Sequence, residues 1–173
     1  LNALAVRLAR EAARQAPQPT LVAGSVAPVE DCYEPELVPP DAELQREHRR
    51  LTRALAGAGC DLLLIETMNS LREARAALAA ALETGLPAWV SFVIGPGATL
   101  LSGEDLGEAA FLGDRIVLLR DGQVVQQGTI EDLFRSPSQP FVTAFVNAQR
   151  SPLAATTASH QNHTAAATSS VVP

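Results

Sequence analysis

Aromatic residues are scarce in this chain of 173 residues and make up only 4% of it, although 47% of the residues are hydrophobic. Alanine supplies much of that apolar content. Small side chains bury less area per residue than leucine or phenylalanine, so the sequence predicts a core in which each residue contributes modest stability. Length alone suggests about one domain.

Cysteines and basic residues are also few. Cys32 and Cys60 are the only two cysteines, and no signal peptide is evident, so a reducing cytoplasm is favoured over a disulfide scaffold. The 13 basic residues against 19 acidic ones give a formal net charge of −6. This charge argues against nucleic acid as a partner, because phosphate binding relies on clustered Lys and Arg. The basic run from Arg46 to Arg53 includes Glu47 and is interpreted as the solvated side of a helix.

Long apolar runs are absent as well, and none is long enough to cross a bilayer, so we expect no direct membrane insertion. What the sequence does contain is an alternation of helical and strand patterns. Strands are predicted at "LVAGSV", "CDLLLIE" and "PAWVSFVI", which are apolar runs bounded by turn residues. Because helices of suitable length separate them, the pattern predicts βαβ units and a parallel sheet with right-handed crossovers.

Several residues predict where helices begin and end. Asp41 is expected to cap the helix before "CDLLLIE". Ser70 with Glu73 predicts a capping box for the next helix, and Gly85 is expected at the carboxyl-terminal cap of that helix. A further helix is predicted over residues 104–111.

The pattern changes after "RIVLL". Asp121-Gly122 predicts a tight hairpin turn, so "QVVQQ" should run antiparallel to "RIVLL". We also expect "RIVLL" to extend the sheet as a fourth parallel strand. Thr129 with Asp132 predicts a helix start, and "FVTAFV" predicts a last amphipathic helix. Residues 151–173 have no period and little to bury, which predicts a disordered tail.

Residues from about 22 to 103 resemble the homocysteine S-methyltransferase family. The matching phrases are "VAGSVAP", "DCYEPELVP", "HRRLTRALAGAGCDLLLIETMNSLREARAAL", "PAWVSFVI" and "LLSGEDLGEA", in order and at matching spacing. The resemblance implies a (β/α)8 TIM barrel and a reaction in which homocysteine is methylated to methionine. The fold class is therefore expected to be α/β: an incomplete barrel portion with parallel strands, followed by a β-hairpin, a helix and the tail.

Functional groups of such barrels lie just beyond the carboxyl ends of the strands. Glu66 ends "CDLLLIE" and Ser25 ends "LVAGS". The resemblance implies that Glu66 holds the amino group of homocysteine, and an anion suits an ammonium partner. From the residues alone, the favoured interpretation is that Glu66 caps the helix start at Asn69-Ser70 or pairs with a nearby arginine, and that Ser25 is a small residue packed at a strand end. Glu66 and Ser25 are the candidate substrate-binding residues, with an amino acid as the candidate partner.

The resemblance further implies a zinc ion held by three cysteine thiolates, since coordination deprotonates a thiol. The implied cysteines follow later strands of the barrel, and no cysteine follows "RIVLL". Cys60 begins its strand, so it should lie at the opposite end from the site, and Cys32 lies in a loop. We therefore expect methyl transfer to be lost in this chain.

The histidines do not replace those cysteines. His48 lies on the apolar stripe of its helix and is interpreted as a core histidine. His160 and His163 have a spacing that could contact a metal, but no acidic or sulfur partner is near them. We expect no metal site and no cofactor in this chain.

Residues from about 108 to 146 resemble the carboxyl-terminal end of an ABC transporter ATP-binding subunit of the osmoprotectant, sulfate or polyamine type. The matching phrase is "EAAFLGDRIVLLRDGQVVQQGTIEDLFRSPSQPFVTAFV". The resemblance implies ATP and magnesium in the parent family. The glycine-rich phosphate loop, the "LSGGQ"-like signature and a strand ending in Asp-Glu are all missing, so no ATPase activity is expected. "LLSGED" is interpreted as a chance echo of the signature.

The two resemblances meet near Glu108-Ala109-Ala110, which predicts a join between two parents. The predicted divisions are a partial methyltransferase-like barrel over 1–107, an ABC-like strand, hairpin and helix over 108–150, and the tail over 151–173. Both open edges of a partial barrel predict self-association.

Three hypotheses for function follow. The first is an inactive homocysteine S-methyltransferase-like fragment. The second is a docking or regulatory piece of an ABC importer subunit, acting through the "FVTAFV" face. The third is a non-functional chimeric reading frame, favoured by a first residue, Leu1, that is not methionine. The identity of the methyl donor is not encoded in the residues present.

Overall fold

The computed structural model describes residues 1–93, 99–104, 107, 110 and 112–148. The chain divides into two compact units, Leu1–Glu104 and Asp105–Pro173, which are described separately. The predicted helix over 104–111 falls largely outside the described residues, and the predicted tail falls entirely outside them. The predicted division after residue 107 concerns ancestry and stays a prediction. Within the described ranges, no helix is long and apolar enough to cross a membrane.

The first unit alternates helices with strands. Its helices are α1 (Asn2–Gln15), α2 (Asp41–Gly57) and α3 (Leu71–Leu82), and its strands are β1 (Ala23–Val26), β2 (Leu62–Met68) and β3 (Ala88–Phe92). The strands form one parallel sheet in the order β1-β2-β3. Parallel neighbours need a crossover, which α2 and α3 supply. The predicted βαβ organisation and parallel sheet are confirmed.

Each strand presents alternate side chains to the two faces of this sheet. On one face Gly24, Val26, Leu63 and Ile65 are buried beneath α2 and α3. The other face, called the open face below, carries side chains that are exposed or half-buried: Ser25, Leu64, Glu66, Trp89 and Ser91. The register aligns Ser25 with Leu64 and Leu64 with Trp89, so these three side chains form a row across the strands.

Two of the predicted helix ends differ in the structure. Pro40 is the residue that precedes α2, and no side chain caps this helix. Asp41 is the first helical residue instead, and its Oδ1 accepts a hydrogen bond from Arg72 at 3.0 Å, so the carboxylate is engaged outside the helix. α3 ends at Leu82 with Glu83 as its carboxyl-terminal cap residue, and Gly85 lies two residues beyond this cap, where its φ of 75° suits glycine.

The second unit is a hairpin followed by two helices. Its elements are β4 (Ile116–Arg120), β5 (Gln123–Gly128), α4 (Ile130–Arg135) and α5 (Pro140–Ala148). Asp121 and Gly122 both have positive φ, 52° and 74°, as the predicted tight turn requires. β4 pairs antiparallel with β5 in a separate two-stranded sheet. The prediction of β4 as a fourth parallel strand is therefore wrong, because the two-residue turn makes β5 its local partner.

Apolar side chains on β4 and on both helices form the core of this unit. The buried residues are Leu118, Leu133, Val142, Phe145 and Val146. The predicted start of α4 is confirmed as a full capping box: Thr129 Oγ1 accepts from the Asp132 N–H at 3.2 Å, and Asp132 Oδ2 accepts from the Thr129 N–H at 2.9 Å. The apolar side of "FVTAFV" is consequently part of the core of the unit.

α1 is attached to the start of β2 by Asp61. Arg10 Nη1 lies 3.0 Å from Asp61 Oδ1, and the Val22 N–H donates to Asp61 Oδ2 at 2.8 Å. The hydrogen bond from Val22, and then that from Arg10, hold the pKa of Asp61 below its usual range. Both contacts favour the charged carboxylate in the folded chain.

Gly24 provides the first test of this packing. A Cβ at Gly24 would lie 3.0 Å from Cys60 Sγ and 3.1 Å from both Leu55 Cβ and Leu63 Cδ2. We expect Gly24→Ala to lower the free energy of unfolding by about 1–3 kcal/mol, because it overpacks the core beneath α2. The matched control is Gly57→Ala, whose Cβ would meet nothing within 4 Å and which should be neutral or stabilising by about 0.5–1 kcal/mol. Urea denaturation followed by circular dichroism measures both, and equal effects would contradict the packing described.

Acid sensitivity tests Asp61. Because its pKa is lower in the folded state, its contribution is fully present above the unfolded-state value of about 3.9 and is lost as pH falls through the folded-state value. We expect the melting temperature of the wild-type chain to fall more steeply than that of Asp61→Asn between about pH 5 and about pH 2. Arg10→Gln, which leaves the Val22 hydrogen bond in place, should be intermediate. Parallel melting curves for wild type and Asp61→Asn would refute this account.

Candidate functional site

The candidate site lies on the open face at the carboxyl ends of β1 and β2. Ser25 on β1 donates its hydroxyl hydrogen to Glu66 Oε1 on β2, so the structure brings the two predicted residues into direct contact. Ser25 is exposed and Glu66 is half-buried. Ser25 is therefore hydrogen-bonded rather than simply packed at the end of β1, and the substrate-binding roles of Ser25 and Glu66 stay predictions. A carboxylate held by one hydroxyl at the surface keeps further acceptor sites for a donor from solution.

The backbone that follows Glu66 is unusual. Thr67 has a φ of 63°, which is rare for a β-branched residue, and the pairing with β3 shifts register between Ile65 and Met68. The Thr67 N–H donates to Ser91 Oγ of β3 at 3.2 Å. β2 thus runs two residues beyond its predicted end at Glu66, and the positive φ of Thr67 directly follows Glu66 within the irregular part of the strand. The sequence contains no signal for this bulge, because threonine and methionine both suit a regular strand.

The start of α3 is capped by two other residues. Ser70 Oγ accepts from the Glu73 N–H at 3.4 Å, as predicted, and Glu104 Oε2 accepts from the Leu71 N–H at 2.9 Å. The alternative that Glu66 caps this helix is therefore wrong. Ser102 also donates to Glu104 Oε2, at 2.6 Å, so the phrase "LLSGED" supplies a cap within the first unit.

The second half of the predicted capping box is wrong, because the Glu73 side chain does not return to Ser70. Glu73 Oε1 instead accepts from the Val29 N–H at 2.7 Å and from His48 Nε2 at 3.0 Å. Both Glu73 and His48 are buried. The interpretation of His48 as a core histidine is confirmed. Its partner is Glu73, the residue that the sequence pattern had predicted to be part of a capping box.

The two cysteines lie far apart in the fold. Cys60 precedes β2 at the end opposite Glu66, is buried, and donates from Sγ to the Leu55 carbonyl at 3.2 Å. Burial raises the pKa of the Cys60 thiol. Cys32 is half-buried in the loop between β1 and α2. In the part of the chain that the structure describes, no three His, Cys, Asp or Glu side chains are grouped as a metal site requires; His160 and His163 lie outside that part.

A shallow cavity of about 400 Å³ lies on the outer surface of α2, away from Glu66, lined by Ala42, Gln45, Arg46, Arg49, Arg50 and Arg53. Its arginines have acidic partners: Arg49 lies 2.8 Å and Arg53 3.2 Å from Glu83, and Arg46 lies 3.0 Å from Glu47. Exposed ion pairs of this kind contribute little and leave small net charge. The surface is the solvated helix side that the sequence predicted.

Comparison with known proteins bears on the first unit. The family profile described as Homocysteine S-methyltransferase matches residues 1–119, which extends beyond the predicted limit of 107. Homocysteine S-methyltransferase 4 of Zea mays is 38% identical over 74 residues, covering 42% of this chain and 22% of that protein. The crystal structure of the metallated form of the homocysteine methyltransferase MmuM from Escherichia coli superposes with a TM-score of 0.54 at 32% identity, over 61% of this chain and 40% of that one.

A different group of proteins matches a shorter segment. The choline transport ATP-binding protein OpuBA of Bacillus subtilis (strain 168) is 46% identical over 46 residues, 27% of this chain. The chain spans 12% of that protein, 22% of the maize methyltransferase and 40% of the solved bacterial enzyme. It therefore shares only a part of each relative. Both resemblances noted from the sequence are confirmed.

Proposed function

The chain belongs to the homocysteine S-methyltransferase family, and from that premise we propose that it binds a homocysteine-like amino acid at Glu66 without transferring a methyl group by itself. The contact between Ser25 and Glu66 carries this proposal. The two residues come from neighbouring strands, at the end of a parallel sheet where barrel enzymes place their functional groups.

The chemistry of the pair suits an ammonium group. A carboxylate binds an ammonium ion through charge-assisted hydrogen bonds, which are stronger than neutral ones. Ser25 uses its only hydrogen on Glu66, so its lone pairs remain available to a second N–H of the same ligand. Glu66 is half-buried, which reduces competition from water more than at a fully exposed site.

The proposal separates binding from methyl transfer. A zinc ion in this family would ionise the thiol of homocysteine, and its implied ligands are three thiolates. The whole sequence has two cysteines. Cys60 is buried and donates a hydrogen bond to the Leu55 carbonyl, and it lies just before β2, at the end of the strand opposite to Glu66. Neither the number nor the placement of these thiols fits such a site, so we propose that this chain does not activate the thiol. We also propose a cytoplasmic location, because Cys32 and Cys60 are free cysteines, which are typical of a reducing compartment.

The amino group provides the test of binding. We expect Glu66→Gln to weaken binding of L-homocysteine by roughly 10- to 100-fold, because a hydrogen bond to a charged group is lost. Isothermal titration with L-homocysteine and with 4-mercaptobutyrate, which lacks only the amino group, measures this directly. Wild type should prefer homocysteine, and Glu66→Gln should lose that preference.

Two outcomes would contradict the proposal. Equal affinity of the wild-type chain for both ligands would show that the amino group is not recognised. Methionine formation by the purified chain with homocysteine, zinc and S-methylmethionine, abolished by a chelator, would show that the thiol is activated after all. Glu83→Gln, on the far end of α3, is the matched control variant and should bind like wild type.

The ABC-like segment is proposed to be a structural remnant joined near Glu108. The docking hypothesis stays a second proposal, and the burial of Val142, Phe145 and Val146 counts against docking through the apolar side of "FVTAFV". A chimeric origin explains why one chain resembles short parts of two unrelated families.

Self-association is proposed through the two edges of the parallel sheet. No other strand in the described part of the chain pairs with the outer edge of β1 or β3. Neither "AGSV" nor "AWVSF" contains a charged residue of the kind that blocks edge pairing in other proteins. Because both edges are parallel, β3 of one copy can continue the sheet at β1 of a second copy.

Trp89 provides the test of edge pairing. Trp89 is 64% exposed on the edge strand β3, and Leu82 is 64% exposed at the end of α3. We expect the wild-type chain to form oligomers as concentration rises by about a hundredfold in sedimentation equilibrium. Trp89→Lys should shift the chain to monomer, whereas Leu82→Lys should not. A monomeric wild type, or equal effects of the two variants, would rule out edge pairing.

A further inference from the structure

The loop between β1 and α2 has little apolar burial to hold it in place. This loop, residues 28–40, is called the acidic loop below. It follows β1, the strand that carries Ser25. Pro39 is its one buried residue, Tyr33 is 71% exposed, and Cys32 is half-buried. A loop of this kind depends on hydrogen bonds for its position.

Those hydrogen bonds come from one short segment, residues 69–73, at the start of α3. Asn69 Nδ2 donates to the Asp31 carbonyl at 3.3 Å. Arg72 donates to the carbonyls of Pro39 at 2.7 Å and Val38 at 3.0 Å. The segment begins three residues after Glu66, so the same stretch of chain positions the candidate ligand for the ammonium group and the loop.

Glu73 makes the most deeply buried side-chain contact to the loop. Its side chain is 1% exposed, and Oε1 accepts both the Val29 N–H and the His48 ring N–H. Oε2 is buried with no hydrogen-bond partner in the described structure. A buried carboxylate is unfavourable unless donors compensate it, so departure of the acidic loop would remove one of only two donors.

We propose that Glu73 is a positioning residue: through the Val29 N–H it holds the amino-terminal part of the acidic loop at the site edge and restricts access to Cys32. The loop-holding role stands independently, and its consequence for ligand binding rests on the proposed function of Glu66. His48 is the second donor that keeps the carboxylate in place while the loop is bound. Asn69 holds the same part of the loop at Asp31, two residues further along.

Cys32 reports the state of the loop. We expect the rate of Cys32 modification by iodoacetamide, measured by peptide mass spectrometry, to rise at least about threefold in Glu73→Gln, because a charge-assisted hydrogen bond to the loop is replaced by a neutral one. Asn69→Ala, which leaves the buried carboxylate intact, should raise it as well. Glu83→Gln on the same helix is the matched control, since Glu83 binds Arg49 and Arg53.

The buried Cys60 distinguishes loop release from unfolding. Release of the loop alone raises the modification rate of Cys32 and leaves that of Cys60 unchanged, whereas a general loss of stability raises both. Rates are compared at the plateau of the pH–rate profile, so that a change in thiolate fraction is separated from a change in access. Unchanged Cys32 rates in both Glu73→Gln and Asn69→Ala, or a parallel rise at Cys60, would overturn the proposal.

A ligand arm keeps this proposal separate from the proposed function. L-Methionine, an amino acid without a free thiol, is added in excess to the wild-type chain. Protection of Cys32 by methionine, absent in Glu66→Gln, supports a site at Glu66 bordered by the loop. Loop release by Glu73→Gln together with no protection by methionine supports the positioning role of Glu73 and counts against binding at Glu66.

Discussion

The pairing of β2 with a parallel neighbour on each side is the constraint on which the rest of the first unit depends. This pairing places the ends of β1 and β2 together, so that Ser25 contacts Glu66. It also fixes which side chains are covered by α2 and α3 and which remain on the open face. The bulge at Thr67 then turns the chain from Glu66 into the segment that holds both α3 and the acidic loop. Sheet pairing, candidate site and loop anchoring are thus successive consequences of one strand.

Sequence patterns predicted the features that arise from local physical chemistry. The apolar runs predicted three parallel strands, Asp121-Gly122 predicted the hairpin turn, and Thr129 with Asp132 predicted the start of α4. Each depends on residues within a few positions of one another. The contact between Ser25 and Glu66 could be predicted only from the rule that the carboxyl ends of neighbouring parallel strands lie together.

The features that were missed depend on residues distant in sequence. Glu73 looked like half of a capping box, but Val29 and His48, far from it along the chain, provide its donors. The sequence predicted Asp41 as a helix cap, but in the structure its carboxylate accepts a hydrogen bond from Arg72 instead. The apolar run of β4 correctly predicted a strand. The tight turn after it then made β5 its partner, in place of a strand of the parallel sheet. Local patterns limit which groups can pair, and the tertiary fold selects among them.

The open face also gives the chain an optical property. Trp89 is the single tryptophan of the sequence, and it lies across from Leu64 on the face that carries Glu66. Its indole ring is largely in water, so its emission should respond to anything that covers this face, with no background from another indole. The second unit contributes nothing to that signal. The fold therefore contains an intrinsic fluorophore beside its candidate site, readable without any label.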